Sequence, residues 1–199
     1  MISRTVRIAA GTVAALAALT ACSGESSGGT SPSSSAPASS PAAGSGPKVP
    51  AALPTDVLLS DPCSVLTADG ATQVGLALPG KKDTGSSQLT GCMWKSTRSE
   101  QNSVAVYPLP QNKGGISDIY DQKDQDVYFQ PVSIDGYPGV FADIHDGRPD
   151  GGCTLWVGVT DQLAVSVISA INVGDNKNNP CAISQKFATA MVGHLKGAA

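Results

Sequence analysis

Two histidines, sixteen acids and five cysteines hold most of the chemistry open to this 199-residue chain. His145 stands between Asp143 and Asp146 beside the glycine-containing run Gly147–Gly152. Asp143 and His145 share a strand face, the relation by which a carboxylate orients an imidazole for general-base work. No G-x-S-x-G elbow supplies a nucleophile, and an exposed hairpin tip is the plainer reading. His194 falls in the last turn of a C-terminal helix, where a cation complements the helix dipole. Two sets of acids, Asp118, Asp121, Asp124, Asp126 and Asp143, Asp146, Asp150, invite a hard cation. Neither follows the D-x-D-x-D-G spacing with its distal Glu, and nothing singles out two Asp as a glycosidase pair. The sequence therefore assigns no catalytic residue, no metal ligand and no cofactor, and an enzyme is not expected. Trp94 and Trp156 lie two and three residues from cysteines. Both read as core side chains packed on a disulfide, with a ligand groove as the alternative.

One cysteine differs from the other four. Arg4 and Arg7 precede an apolar run, Ile8 to Leu19, which ends in Leu19-Thr20-Ala21-Cys22. Basic residues, an apolar stretch too short to span and small residues before a cleavage point describe an export signal over residues 1–21. The final Leu-Thr-Ala-Cys resembles the bacterial lipobox, so the Cys22 thiol is expected to take a diacyl anchor, palmitate among its chains. No run of about 18 apolar residues occurs, so no spanning helix is expected. The expected location is the outer face of the cell membrane, held through the lipid on Cys22.

From Ser23 to Pro50 the chain has ten Ser, five Gly and five Pro and almost no bulky side chain. Such composition cannot bury enough apolar surface to offset ordering entropy. Residues 22–52 are therefore expected to be the lipidated cysteine and a disordered tether, with O-glycosylation at Thr30-Ser31-Pro32 as an option. Residues 53–199 form one domain, and all nine aromatics fall between Trp94 and Phe187. Without the signal the charge is eleven basic against sixteen acidic residues, a net −5. That balance argues against nucleic acid as a partner, which calls for a basic face.

Cys63, Cys92, Cys153 and Cys181 are even in number, lack C-x-x-C spacing and belong to an exported chain, so two disulfides are expected. Asp61-Pro62-Cys63 and Asn179-Pro180-Cys181 look like helix starts, with Asp or Asn as N-cap and Pro at the first position. The second opens an apolar stripe, Ile183, Phe187, Met191, Leu195; the first, Pro62 to about Val74, is shorter and contains Gly70, the point at which a break is expected. Cys92 and Cys153 sit in alternating, strand-like runs. Pairing strand with strand and helix with helix gives Cys92–Cys153 and Cys63–Cys181 as the expected bridges.

The elements between them read as sheet. Strands are expected at Val104–Tyr107, Val127–Ile134, Gly139–His145, Cys153–Thr160 and Leu163–Ala170, with a turn at Asp135-Gly136 and a short helix within Gly114–Gln122. Short links make the last three antiparallel neighbours. The fold class is α+β: an antiparallel sheet with helices from both ends of the domain packed on one face.

Lipobox, Ser/Pro tether, Asp61-Pro62-Cys63, Cys92-x-Trp94, Gly136-Tyr137-Pro138, Cys153 and a final Pro180-Cys181 helix occur in a characteristic order. In that order the chain resembles the exported actinobacterial lipoproteins grouped as domain of unknown function 3558. The family has no established activity, so the resemblance implies location and architecture and no catalytic residues. Two functions stand open. One is a lipoprotein that binds or senses a small molecule, lipid or cell-wall fragment, which requires a concave pocket. The other is an accessory subunit of an envelope protein complex, which requires an exposed apolar patch.

Overall fold

Period-two alternation along each strand sorts side chains between the two faces of one sheet. The computed structural model describes residues 44–84 and 89–198. Its strands are β1 (Lys81–Thr84), β2 (Thr90–Lys95), β3 (Ser103–Pro108), β4 (Tyr128–Ile134), β5 (Tyr137–Asp143), β6 (Gly152–Thr160) and β7 (Leu163–Ala170). They form a seven-stranded antiparallel sheet in the order β1-β2-β3-β7-β6-β5-β4. Asp135 and Gly136 have φ of 51° and 87°. Positive φ at both central residues is the type I′ geometry that matches strand twist, so Asp-Gly closes the β4–β5 hairpin as expected.

On the main face lie Cys92 and Trp94 of β2, Val104 and Val106 of β3, Val165 and Val167 of β7, and Leu155 and Val157 of β6, all buried. The C-terminal helix covers them with its expected stripe, Ile183, Phe187, Met191 and Leu195. The Phe187 ring lies 5.1 Å from that of Trp94. Two buried hydroxyls fix the start of this helix: Ser169 donates to the Pro180 carbonyl at 2.9 Å, and Ser184 reaches the Cys153 carbonyl at 3.1 Å.

The N-terminal helical region is more broken than one helix from Pro62 to Val74. It comprises α1 (Asp56–Ser60), a 3-10 turn (Pro62–Val65) and α2 (Ala68–Val74). The break comes not at Gly70 but at Leu66, which is extended, followed by Thr67, whose Oγ1 accepts the Gly70 N–H at 3.1 Å. Thr67 is thus the working N-cap. Neither Asp61 nor Asn179 caps through its side chain; Asp61 instead accepts the Ser64 hydroxyl at 2.5 Å.

The disulfides join Cys63 to Cys92 and Cys153 to Cys181, correcting both expected pairings. Cys92 and Cys153 do share the main face, but β3 and β7 lie between their strands. Three strand spacings of about 4.8 Å exceed the roughly 7 Å limit on Cα separation in a disulfide. Each helical Cys instead reaches the strand beneath it, with Cα atoms 5.0 Å and 5.1 Å apart.

Residues 44–52, counted with the tether on composition, lie against the domain. The Ser45 hydroxyl donates to Asp121 at 2.5 Å, and the Val49 N–H donates to Asp161 at 3.2 Å.

Candidate functional site

The strand order forces a long crossing on the opposite face of the sheet. β3 pairs with β7, so the chain leaving β3 must pass over β7, β6 and β5 to enter the sheet again at the far edge as β4. The crossing is tied at its ends by Leu109 N–H to Ala164 O at 3.0 Å and Val127 N–H to Asp143 O at 2.9 Å. In its middle, α3 (Ser117–Tyr120) occupies part of the expected Gly114–Gln122 helix. Ile116 and Ile119 bury against Val140, Ala142 and Ala164 in a second, smaller core. Tyr120 meets Phe129 of β4 edge to face, with ring centroids 4.9 Å apart. This cover is narrow, and beside it the sheet stays open.

The opening is a cleft of about 400 Å³. Leu109, Ile119, Ile144 and Trp156 supply its apolar surface, and Asn112, Gln122, Asp126 and Asp143 its polar groups. Trp156 belongs here and not on a disulfide, correcting its expected position. Three residues from Cys153 is an odd number, which puts the indole on the other side of the strand. Trp94, an even two residues from Cys92, does share that cysteine's face. Gly80 backs both, because a Cβ there would come within 2.5 Å of Cys92 Sγ and Trp94 Nε1. The Trp156 N–H donates to the Ala142 carbonyl at 2.9 Å, which leaves the ring surface as its contact with the cleft.

The two carboxylates are held differently. Asp143 accepts the Thr154 hydroxyl at 2.7 Å on one oxygen and the His145 backbone N–H at 3.1 Å on the other. Asp126 accepts no hydrogen bond from the described residues. Burial, then the charge of Asp143, raises the Asp126 carboxyl above the ordinary carboxylate value. Two neighbouring anions, one of them unsolvated by the protein, make the cleft electronegative.

The residues singled out in the sequence separate accordingly. Asp143 meets His145 through the backbone N–H, not the ring, and His145 is exposed. Asp146 instead binds Arg148 through two bonds, 2.7 Å and 2.8 Å, which hold its carboxyl below the usual range. That guanidinium lies over the Tyr128 ring, 3.9 Å from its centroid. Asp118 accepts the Gly114 N–H, Asp121 takes Ser45, and Asp124 and Asp150 are exposed. His194 is half-buried in the last turn of the terminal helix. Among the described residues no three or more His, Cys, Asp or Glu are placed to hold a metal ion. Cys22, the apolar run before it and Thr30-Ser31-Pro32 lie outside the described residues. Composition marked Asp126 only as one of a row of acids. Its pairing with Asp143 depends on the crossing, which no local pattern reveals.

A family profile described as a protein of unknown function (DUF3558) matches residues 17–194. The chain belongs to that family. The match takes in both disulfides, every strand and all the cleft residues, so the cleft is built from DUF3558 sequence. No curated protein and no solved structure matches the chain.

Proposed function

We propose that this DUF3558 protein is a lipid-anchored extracytoplasmic binding protein, captured at the membrane through Cys22, whose cleft takes up a small molecule, lipid or cell-wall fragment. The observation that supports this reading is the cleft itself. Its volume of about 400 Å³ falls in the range of small-molecule sites, and its lining combines apolar walls with a few converging polar groups. Ile144, 57% exposed, extends the apolar surface outward at its mouth. Exposed β-branched side chains beside a cavity are costly to leave in water and useful to a ligand.

Native mass spectrometry of the full chain, released gently from its own membrane, tests the proposal. A non-covalent mass should accompany the protein and disappear in the Ile144→Arg variant, which places a cation at the mouth on an exposed position. A bare protein, or a mass retained equally by the variant, overturns it.

A further inference from the structure

The cleft combines three features that restrict the chemistry of its occupant. Its lining holds two carboxylates and no Lys or Arg. The nearest guanidinium, Arg148, is already spent on Asp146 and on the Tyr128 ring. Lys113, on the same crossing, is turned to the Pro110 carbonyl at 2.5 Å. Asp126 is thus left without a protein cation and without a hydrogen-bond donor among the described residues.

The second feature is the indole. With its N–H committed to Ala142, Trp156 offers the cleft a π surface, whose negative quadrupole attracts cations and tolerates alkyl groups. The third is the apolar wall of Leu109, Ile119 and Ile144, which has no use for a small hydrated ion. A bare metal ion would also find no third carboxylate, His or Cys beside these two among the described residues.

From this charge complementarity we infer that the occupant is an organic cation: an ammonium group seated between Asp126, Asp143 and the face of Trp156, with an apolar body along Ile119 and Ile144. The inference rests on the cleft being the binding site. A neutral sugar could stack on the indole and donate hydroxyls to the carboxylates but would bring no charge to offset their repulsion, and an anionic amphiphile would add to it. A cation offsets both charges as it binds. Asp143, oriented by Thr154 and His145, is the fixed partner, and Asp126 is the one that gains a counter-ion.

The experiment is a matched series of six-carbon probes titrated calorimetrically into the full chain: hexyltrimethylammonium, hexyl glucoside and hexanoate. The cation should bind at least about ten-fold more tightly than either congener, the difference expected of a desolvated ammonium over an indole beside a carboxylate. Asp126→Asn should erase that ten-fold advantage and leave the glucoside unchanged. Because Asp126 holds no protein partner, the variant folds, and its melting temperature checks that it has. Trp156→Phe, which keeps an aromatic face, should weaken the cation less than Asp126→Asn does. Equal or tighter binding of glucoside or hexanoate, lost in Ile144→Arg, overturns the cation while the cleft stands. An unchanged cation affinity in Asp126→Asn does the same. If no probe binds, the cleft reading falls and the cation with it.

Discussion

Removing one disulfide at a time measures how the fold is fastened. The perturbation is a pair of double variants, Cys63→Ala with Cys92→Ala and Cys153→Ala with Cys181→Ala. The bridges span 29 and 28 residues of sequence. In the chain-entropy relation a loop of that length restricts the unfolded ensemble by about 3.6 kcal/mol, so the two variants should lose nearly the same stability. Were Cys63 bonded to Cys181 and Cys92 to Cys153, each of these double variants would break both bridges and lose about 9 kcal/mol. A loss of only about 3.6 kcal/mol in each is therefore the signature of the observed pairing. Urea unfolding reads it: with a slope near ~2 kcal/mol per molar, each midpoint should fall by about 2 M. Cys92 and Cys153 are both buried, whereas Cys63 and Cys181 are half-buried, so the packing loss should also be similar in the two variants. Peptide mapping without reduction accompanies the measurement. A Cys63–Cys181 peptide, or a loss below about 1 kcal/mol in either variant, would refute the reasoning.

Two further outcomes follow from the packing and the charges. Phe187 is fully buried against Trp94, so Phe187→Ala should cost about 3–5 kcal/mol and lower the melting temperature by roughly 10 °C or more; a drop of only a degree or two would mean the helix is not seated on the sheet there. The Asp126 carboxyl has a raised pKa in the fold, so the folded state holds that proton more tightly than the unfolded chain does, and stability from this group falls as pH rises from the ordinary carboxylate value through the raised one. Asp126→Asn should remove that slope and stabilise the protein at neutral pH by a few tenths of a kcal/mol; thermal melts of both proteins between pH 4 and pH 7, as a series of about six points, would contradict this if the curves ran parallel.

Local patterns carried far where the structure is local. The stripe on the terminal helix, the Asp-Gly turn and Leu163–Ala170 of β7 follow from spacing alone, because each is decided by residues within a few positions. The disulfides do not. Strand-with-strand pairing was the simplest inference from context, but two strands separate Cys92 from Cys153, and strand order is a non-local property. Thr67 shows the same on a smaller scale: a cap within an apparent helix divided it, where Gly70 had been the visible weak point. Trp156 was more accessible. Its odd spacing from Cys153 already puts it off the main core, and counting parity would have separated it from Trp94. Asp126 gave no such signal, because its partner Asp143 reaches it only through the crossing.

The two faces of the sheet divide the labour. The main face is covered by the long terminal helix and fastened by both disulfides, and it holds the largest buried side chains, Trp94 and Phe187. The opposite face is covered by a crossing whose core is five side chains, Ile116, Ile119, Val140, Ala142 and Ala164. A segment with so little buried area opens at a lower free-energy cost than the sheet beneath it. The cleft is made where that segment meets the sheet, so its width follows the seating of Ile116 and Ile119 and not the packing of the main core. Gly115, with φ of 58° and its would-be Cβ within 3.0 Å of the Thr160 and Asp161 backbone, pins the crossing at its start. Between that pin and the tie at Val127, residues can change without touching a disulfide or the terminal helix. A fold arranged in this way keeps its stability on one side and leaves the chemistry of the other free to vary, which is where Asp126 and its cleft lie.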